Sequence, residues 1–145
     1  GGFQRSFDGG DSWEIINNIE LSQFYQIQVD NLKPYNVYGG LQDNGTWVGP
    51  SNSLYNAGIL KRHWKGLAYG DGYFAEPIPG NEYLVYTNLQ GGVPFLVDSR
   101  YGNVRTIHPY PKIVGSSGDA IDRHKYRFNW VIRMNYNSFY PFCFF

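Results

Sequence analysis

At 145 residues the chain has the length of one ordinary domain, and 19% aromatic residues, 18 Gly and 8 Pro against 17% charged residues favour strands and turns over helices. Twelve Lys plus Arg balance twelve Asp plus Glu, so no net field draws a polyanion or an anionic surface, which argues against nucleic acid, and no apolar run of membrane-spanning length argues for membrane insertion. The single Cys, Cys143, excludes an internal disulfide and offers no metal-ligand spacing, and no cofactor is expected.

The first element is a hairpin corner in "RSFDGGDSWEII", Arg5 to Ile16. Asp8 is placed to accept hydrogen bonds from backbone N–H groups one or two residues on, while Gly9 and Gly10 take the φ > 0 of a tight turn. Ser6 and Ser12 add local hydrogen-bonding groups, and the ring of Trp13 is expected to fold back and bury itself on the hairpin. Short Asp/Gly turns are far more often turn chemistry than catalysis, so Asp8 reads as structural.

From Phe24 to about Trp64, three strands are read as "FYQIQVD", "VYGGLQD" and "TWVGPS", ending near a basic loop, "LKRHWKG", in which Lys61, Arg62, His63 and Lys65 surround Trp64. From Gly72 to His108, four follow: "GYFAEPIP", "YLVYTNLQ", "VPFLVDS" and "NVRTIHP". The two stretches repeat each other. Val37, Tyr38, Leu41 and Gln42 match Val85, Tyr86, Leu89 and Gln90 at an offset of 48, as Tyr25 matches Tyr73. A four-stranded propeller blade occupies about 40 to 50 residues. "GSSGDAIDRHKYRFNW" opens a further unit over 120–130, and the Phe/Tyr/Asn-rich residues 131–145 break the pattern as an atypical tail.

Ser6, Asp8, Gly10, Ser12 and Trp13 fit Ser-x-Asp-x-Gly-x-Ser/Thr-Trp, the Asp-box or BNR repeat. With "GGLQDNGTWVGPS", "YGDGYF" and "KYRFNW", the chain resembles the large BNR-repeat proteins called glycosyl hydrolase-like or sortilin-like propellers, over residues 1–130. The resemblance implies an all-β partial β-propeller of four-stranded antiparallel blades, with pieces at about 1–16, 24–64, 72–108 and 120–130 and fewer than three complete. It also implies an internal piece of a longer secreted or periplasmic protein, whose remaining blades would cover this one. The Asp-box itself lies away from the ligand face in such families, so it informs fold and not reaction.

Function divides between a recognition or scaffold module for protein or glycan ligands and a glycoside hydrolase acting on polysaccharide. The hydrolase needs two carboxylates across the scissile bond, about 5 to 9.5 Å apart depending on stereochemistry. Asp43 in "LQDNG" and Asp71 in "YGDG" are the candidates, each beside a Gly in a loop abutting a strand. Trp47, Trp64 and Tyr55 are candidate ligand-stacking aromatics. Asp119, Asp122 and His124 form a weaker acid/base or metal grouping. Sialidase chemistry is argued against by the lack of an Arg-Ile-Pro element and of a recognisable arginine trio.

Overall fold

The computed structural model describes residues 3–16, 22–108, 131, 133 and 134. The fold is all-β. A two-stranded hairpin, β1 (Phe3–Arg5) and β2 (Glu14–Ile16), precedes two four-stranded antiparallel sheets. The first sheet runs in chain order through β3 (Phe24–Val29), β4 (Asn36–Leu41), β5 (Gly45–Pro50) and β6 (Lys65–Ala68). The second does the same through β7 (Gly72–Ile78), β8 (Asn81–Leu89), β9 (Val93–Asp98) and β10 (Asn103–Thr106). Neither sheet closes on itself.

The four strands read from the sequence in Gly72 to His108 coincide with β7 to β10. In the first sheet the fourth strand is Lys65–Ala68, beyond the expected end at Trp64. The displacement has a local cause. Residues 51–64, including a short 3₁₀ turn at Lys61–His63, separate β5 from β6, whereas residues 99–102 suffice between β9 and β10. The other strands keep the 48-residue offset: β3 and β7 start at 24 and 72, and β5 and β9 at 45 and 93.

The sheets stack face to face. Cross-strand register aligns Ala75 with Thr87 and Phe95, and Pro77 with Val85 and Val97, so these rows share one face. That face packs on Tyr38, Val48 and Leu67 of the first sheet, forming a core in which Val85 and Val97 are almost wholly buried. Full burial of a side chain of this size contributes about 1.5 to 3 kcal/mol. Within the same interface the Thr87 hydroxyl donates to the Thr46 hydroxyl over 3.0 Å, which satisfies two buried polar groups. On the far face of the second sheet, Phe74 and Tyr86 pack with Met134, so the tail contributes a buried side chain. The expected unit at 120–130 lies outside the described residues.

The Ser6–Trp13 loop is folded by its own side chains. One oxygen of Asp8 accepts from the Ser12 N–H at 2.9 Å and the Ser6 hydroxyl at 2.8 Å, and the other accepts from the Ser12 hydroxyl at 2.6 Å. The Ser6 oxygen in turn accepts from the Gly10 N–H at 2.8 Å. Trp13 departs from expectation. Its indole N–H donates to the Gly10 carbonyl at 3.1 Å, yet the residue is 61% exposed, because among the described residues β1 and β2 have no further strand beside them and Phe3 and Ile15 are exposed as well.

Ser12, through its hydroxyl and its N–H, and then the Ser6 hydroxyl hold the Asp8 carboxyl well below the usual carboxylate range. A depressed folded-state value stabilises the loop above the unfolded value, about 4, and that stabilisation is lost as pH falls through the folded value. Asp8→Ala is therefore expected to speed hydrogen exchange at the Gly10 and Ser12 amides at neutral pH while leaving β8 and β9 protected. Unchanged exchange at Ser12 would refute the capping role.

Candidate functional site

Three connections meet at one end of the sheet stack: the β4–β5 turn (42–44), the β6–β7 link (69–71) and the β8–β9 turn (90–92). The Asp71 carboxylate accepts from the Asp43 backbone N–H at 2.7 Å, and the Asp71 N–H donates to the Gln90 side-chain oxygen at 3.2 Å. The Gly70 carbonyl accepts from the N–H groups of Gly45 at 2.8 Å and Gly72 at 3.1 Å. Each loop thus holds the next. This end is built from short connections of high hydrogen-bond density, a rigid frame for any group it carries.

Asp43 and Asp71 are brought together, but through a main-chain donor. Asp71 staples the β4–β5 turn, which is what an acceptor beside an unsatisfied turn N–H does. Asp43 is exposed and has φ +59°, the left-handed region, where the equivalent residue of the β8–β9 turn is Gly91 at φ +72°. A non-glycine residue there costs of order 1 to 2 kcal/mol, less for Asp, whose short side chain tolerates the conformation. Among the described residues Asp43 is the only non-glycine with positive φ.

Aromatic rings flank these loops. Tyr25 donates its hydroxyl to the Gln42 side-chain oxygen at 2.7 Å, and its ring lies 5.5 Å from that of Tyr73 at an interplanar angle of 50°. Tyr69, in the β6–β7 link, is 91% exposed. Sequence reasoning noticed Tyr25 and Tyr73 as repeat partners and passed over them as ligand contacts. The signal was present in their common offset with Gln42 and Gln90.

Of the aromatics singled out from the sequence, Trp47 and Trp64 share a sheet face and Tyr55 lies in the 51–64 loop. Trp47 donates its indole N–H to the Asn44 carbonyl at 2.6 Å and reaches over Gly66. Trp64 packs on Phe24, with ring centroids 5.8 Å apart, and covers Gly49 so closely that an added Cβ would come within 2.4 Å of the ring. Both are partly buried on the sheet face turned away from β7. Tyr55 sits in the 51–64 loop, its ring 4.5 Å from the Arg62 guanidinium and edge-on to His63. The basic residues Lys61, Arg62 and Lys65 are exposed, and Lys65 donates its ammonium to the Ser99 carbonyl. Asp119, Asp122 and His124 lie outside the described residues.

At the opposite end, a cavity of about 550 Å³ opens between the β3–β4 and β7–β8 turns, with Asp30, Leu32, Glu76, Pro79 and Tyr83 on its walls. Sequence reasoning missed it. Asp30 is committed to the fold: its carboxylate accepts from the N–H groups of Leu32 and Asn36, the Asn36 side-chain amide and the Tyr38 hydroxyl. Burial pushes the half-buried Glu76 carboxyl up, against the pull of Arg133.

Among the described residues no group of three or more His, Cys, Asp and Glu is arranged to hold a metal ion, and no helix is long and apolar enough to cross a membrane. No protein-family model, curated protein or solved structure matches this chain.

Proposed function

We propose that the chain is a recognition or scaffold module of the BNR/Asp-box propeller kind, part of a longer extracytoplasmic protein, and that it binds a protein or glycan ligand without turning it over. The observation that carries the non-catalytic part is the 2.7 Å hydrogen bond from the Asp43 N–H to the Asp71 carboxylate. A general acid or base has to present its carboxyl to substrate, and here one of the two candidate carboxyls is occupied as a turn acceptor.

The stacked-blade part draws on register. On the first sheet's outer face, Ile27, Gly39 and Trp47 lie in one row and Val29, Val37 and Gly49 in another. These positions stand 48 residues before Ala75, Thr87 and Phe95, and before Pro77, Val85 and Val97, the rows with which the second sheet docks. Ile27 and Val29 are left exposed. A sheet that repeats a docking face is a sheet made to be stacked on both sides.

The rival, a glycoside hydrolase working through Asp43 and Asp71, makes the opposite prediction in one assay. Incubated with a panel of soluble polysaccharides, the full chain is expected to release no reducing ends, and Asp71→Asn, which keeps the turn acceptor, is expected to melt within about 1 kcal/mol of the unsubstituted chain. Hydrolysis abolished by Asp43→Asn or Asp71→Asn would establish the enzyme instead.

A further inference from the structure

We infer that the loop end carrying Asp43 is a binding surface for neutral oligosaccharides, with Tyr25, Tyr69 and Tyr73 as stacking faces and Asp43 and the Gln42 amide as hydroxyl-recognising groups. The inference rests on the recognition reading above and assigns its ligand.

The chemistry of the end is matched to a sugar. A pyranose offers an apolar C–H face and a rim of hydroxyls, each both donor and acceptor, so its site combines aromatic faces with fixed acceptors and donors. Tyr25 is 42% exposed and leans on Tyr73, while Tyr69 presents almost its whole ring beside the β4–β5 turn. The Gln42 oxygen is taken by the Tyr25 hydroxyl, which leaves the amide NH₂ of this exposed residue as its donor. The exposed Asp43 side chain supplies acceptors and makes no hydrogen bond or ion pair among the described residues.

Asp43 carries the argument furthest. Its backbone N–H holds the turn to Asp71, a bond that glycine would make equally well, and its side chain gives the fold nothing in return for the left-handed φ that Gly91 adopts freely. A residue kept in an unfavourable conformation with an unused functional group points to work outside the fold. The loops are cross-tied before any ligand arrives, so little ordering cost falls on binding.

Charge sets the class. The three loops carry two carboxylates and no Lys, Arg or His. A uronic or sialic acid would meet like charge with no cation to pair it, which selects neutral sugars by exclusion.

Calorimetric titration of the full chain with cellohexaose, xylohexaose and mannohexaose, with hexagalacturonate as the acidic counterpart, tests the assignment. At least one neutral hexasaccharide is expected to bind, with hexagalacturonate weaker by at least roughly tenfold. Tyr69→Ala is expected to weaken binding roughly tenfold without changing the melting temperature, since that ring is already in water. Asp43→Gly is expected to weaken binding severalfold while holding or raising the melting temperature, an outcome that a purely structural role for Asp43 does not give. No binding to any neutral hexasaccharide, or binding indifferent to both Tyr69→Ala and Asp43→Gly, would overturn the assignment and leave a protein ligand for the recognition reading. Cleavage of a bound hexasaccharide would overturn the recognition reading itself.

Discussion

Gly40→Ala is expected to destabilise the chain by about 3 kcal/mol, lowering the melting temperature by roughly 10 °C, because it pushes a methyl group into backbone rather than into a movable side chain. A Cβ built on Gly40 would lie 2.2 Å from the carbonyl carbon of Gly72 and 2.4 Å from the nitrogen of Tyr73. Relief requires β7 to lift away from β4. That movement would open the contact between the sheets where Tyr38 and Leu67 meet Ala75, Val85 and Val97. The approach is mutual: a Cβ on Gly72 would come within 2.4 Å of the Gly45 carbonyl oxygen and 2.5 Å of the Thr46 hydroxyl. Gly66→Ala is the matched control, since its Cβ would meet only the Trp47 ring at 3.9 Å, and it is expected to change stability by less than about 1 kcal/mol. Thermal melts of the two variants decide the matter, and a Gly40→Ala protein as stable as the control would show that the sheets do not meet at this distance.

Asp30→Ala is expected to cost about 2 to 3 kcal/mol at neutral pH. One carboxylate there accepts four hydrogen bonds, three of them from Leu32 and Asn36 and one of 2.9 Å from the hydroxyl of buried Tyr38, and removing it strands those donors. The bonds from Asn36 and Tyr38 also lock the β3–β4 turn to β4. Burial pushes the Asp30 carboxyl up, but the hydrogen bonds from Asn36, Tyr38 and Leu32 together outweigh it and hold the group below its ordinary value. Because the folded-state value is depressed, the stabilisation is fully present above the unfolded value, about 4, and disappears as pH falls through the folded one. Urea unfolding at pH 7 and again near pH 2 should therefore show a deficit that is large at the first and small at the second. An equal deficit at both would mean that the carboxylate's charge contributes nothing.

Much of the strand pattern was open to reading from the residues, because strand chemistry is local. Alternating and β-branched runs between Gly, Pro and Asn put β7 to β10 in place, and the 48-residue offset of Tyr25, Val37 and Gln42 from Tyr73, Val85 and Gln90 tied the first sheet to the second. That the Ser6–Trp13 loop folds on its own side chains was equally open, since each of its hydrogen bonds spans five residues or fewer, although the backbone donor to Asp8 is Ser12, four residues on, where one or two were expected. Strand β6 was missed for the opposite reason. "KGLA" is short, and it becomes a strand only because β5 offers it a free edge after the 51–64 loop returns the chain. Trp13 was misjudged because burial belongs to the neighbours a side chain is given, and among the described residues the two-stranded hairpin gives it few.

The candidate site divides in the same way. Composition and sequence marked Asp43 and Asp71 as loop carboxylates beside glycines, and nothing within either loop shows that one serves as acceptor to the main chain of the other. That contact spans 28 residues and exists only because β7 packs across β3 and β4. The stacking of Tyr25 on Tyr73, the left-handed φ of Asp43 and the cavity between the β3–β4 and β7–β8 turns arise from the same docking. By itself the sequence determined an all-β chain and most of its turns, each a property of residues within a few positions of one another. Which side chains face one another, and so which acid serves as a turn acceptor, was decided by tertiary structure, because glycines at 40 and 72 let two backbones come closer than any side chain would allow.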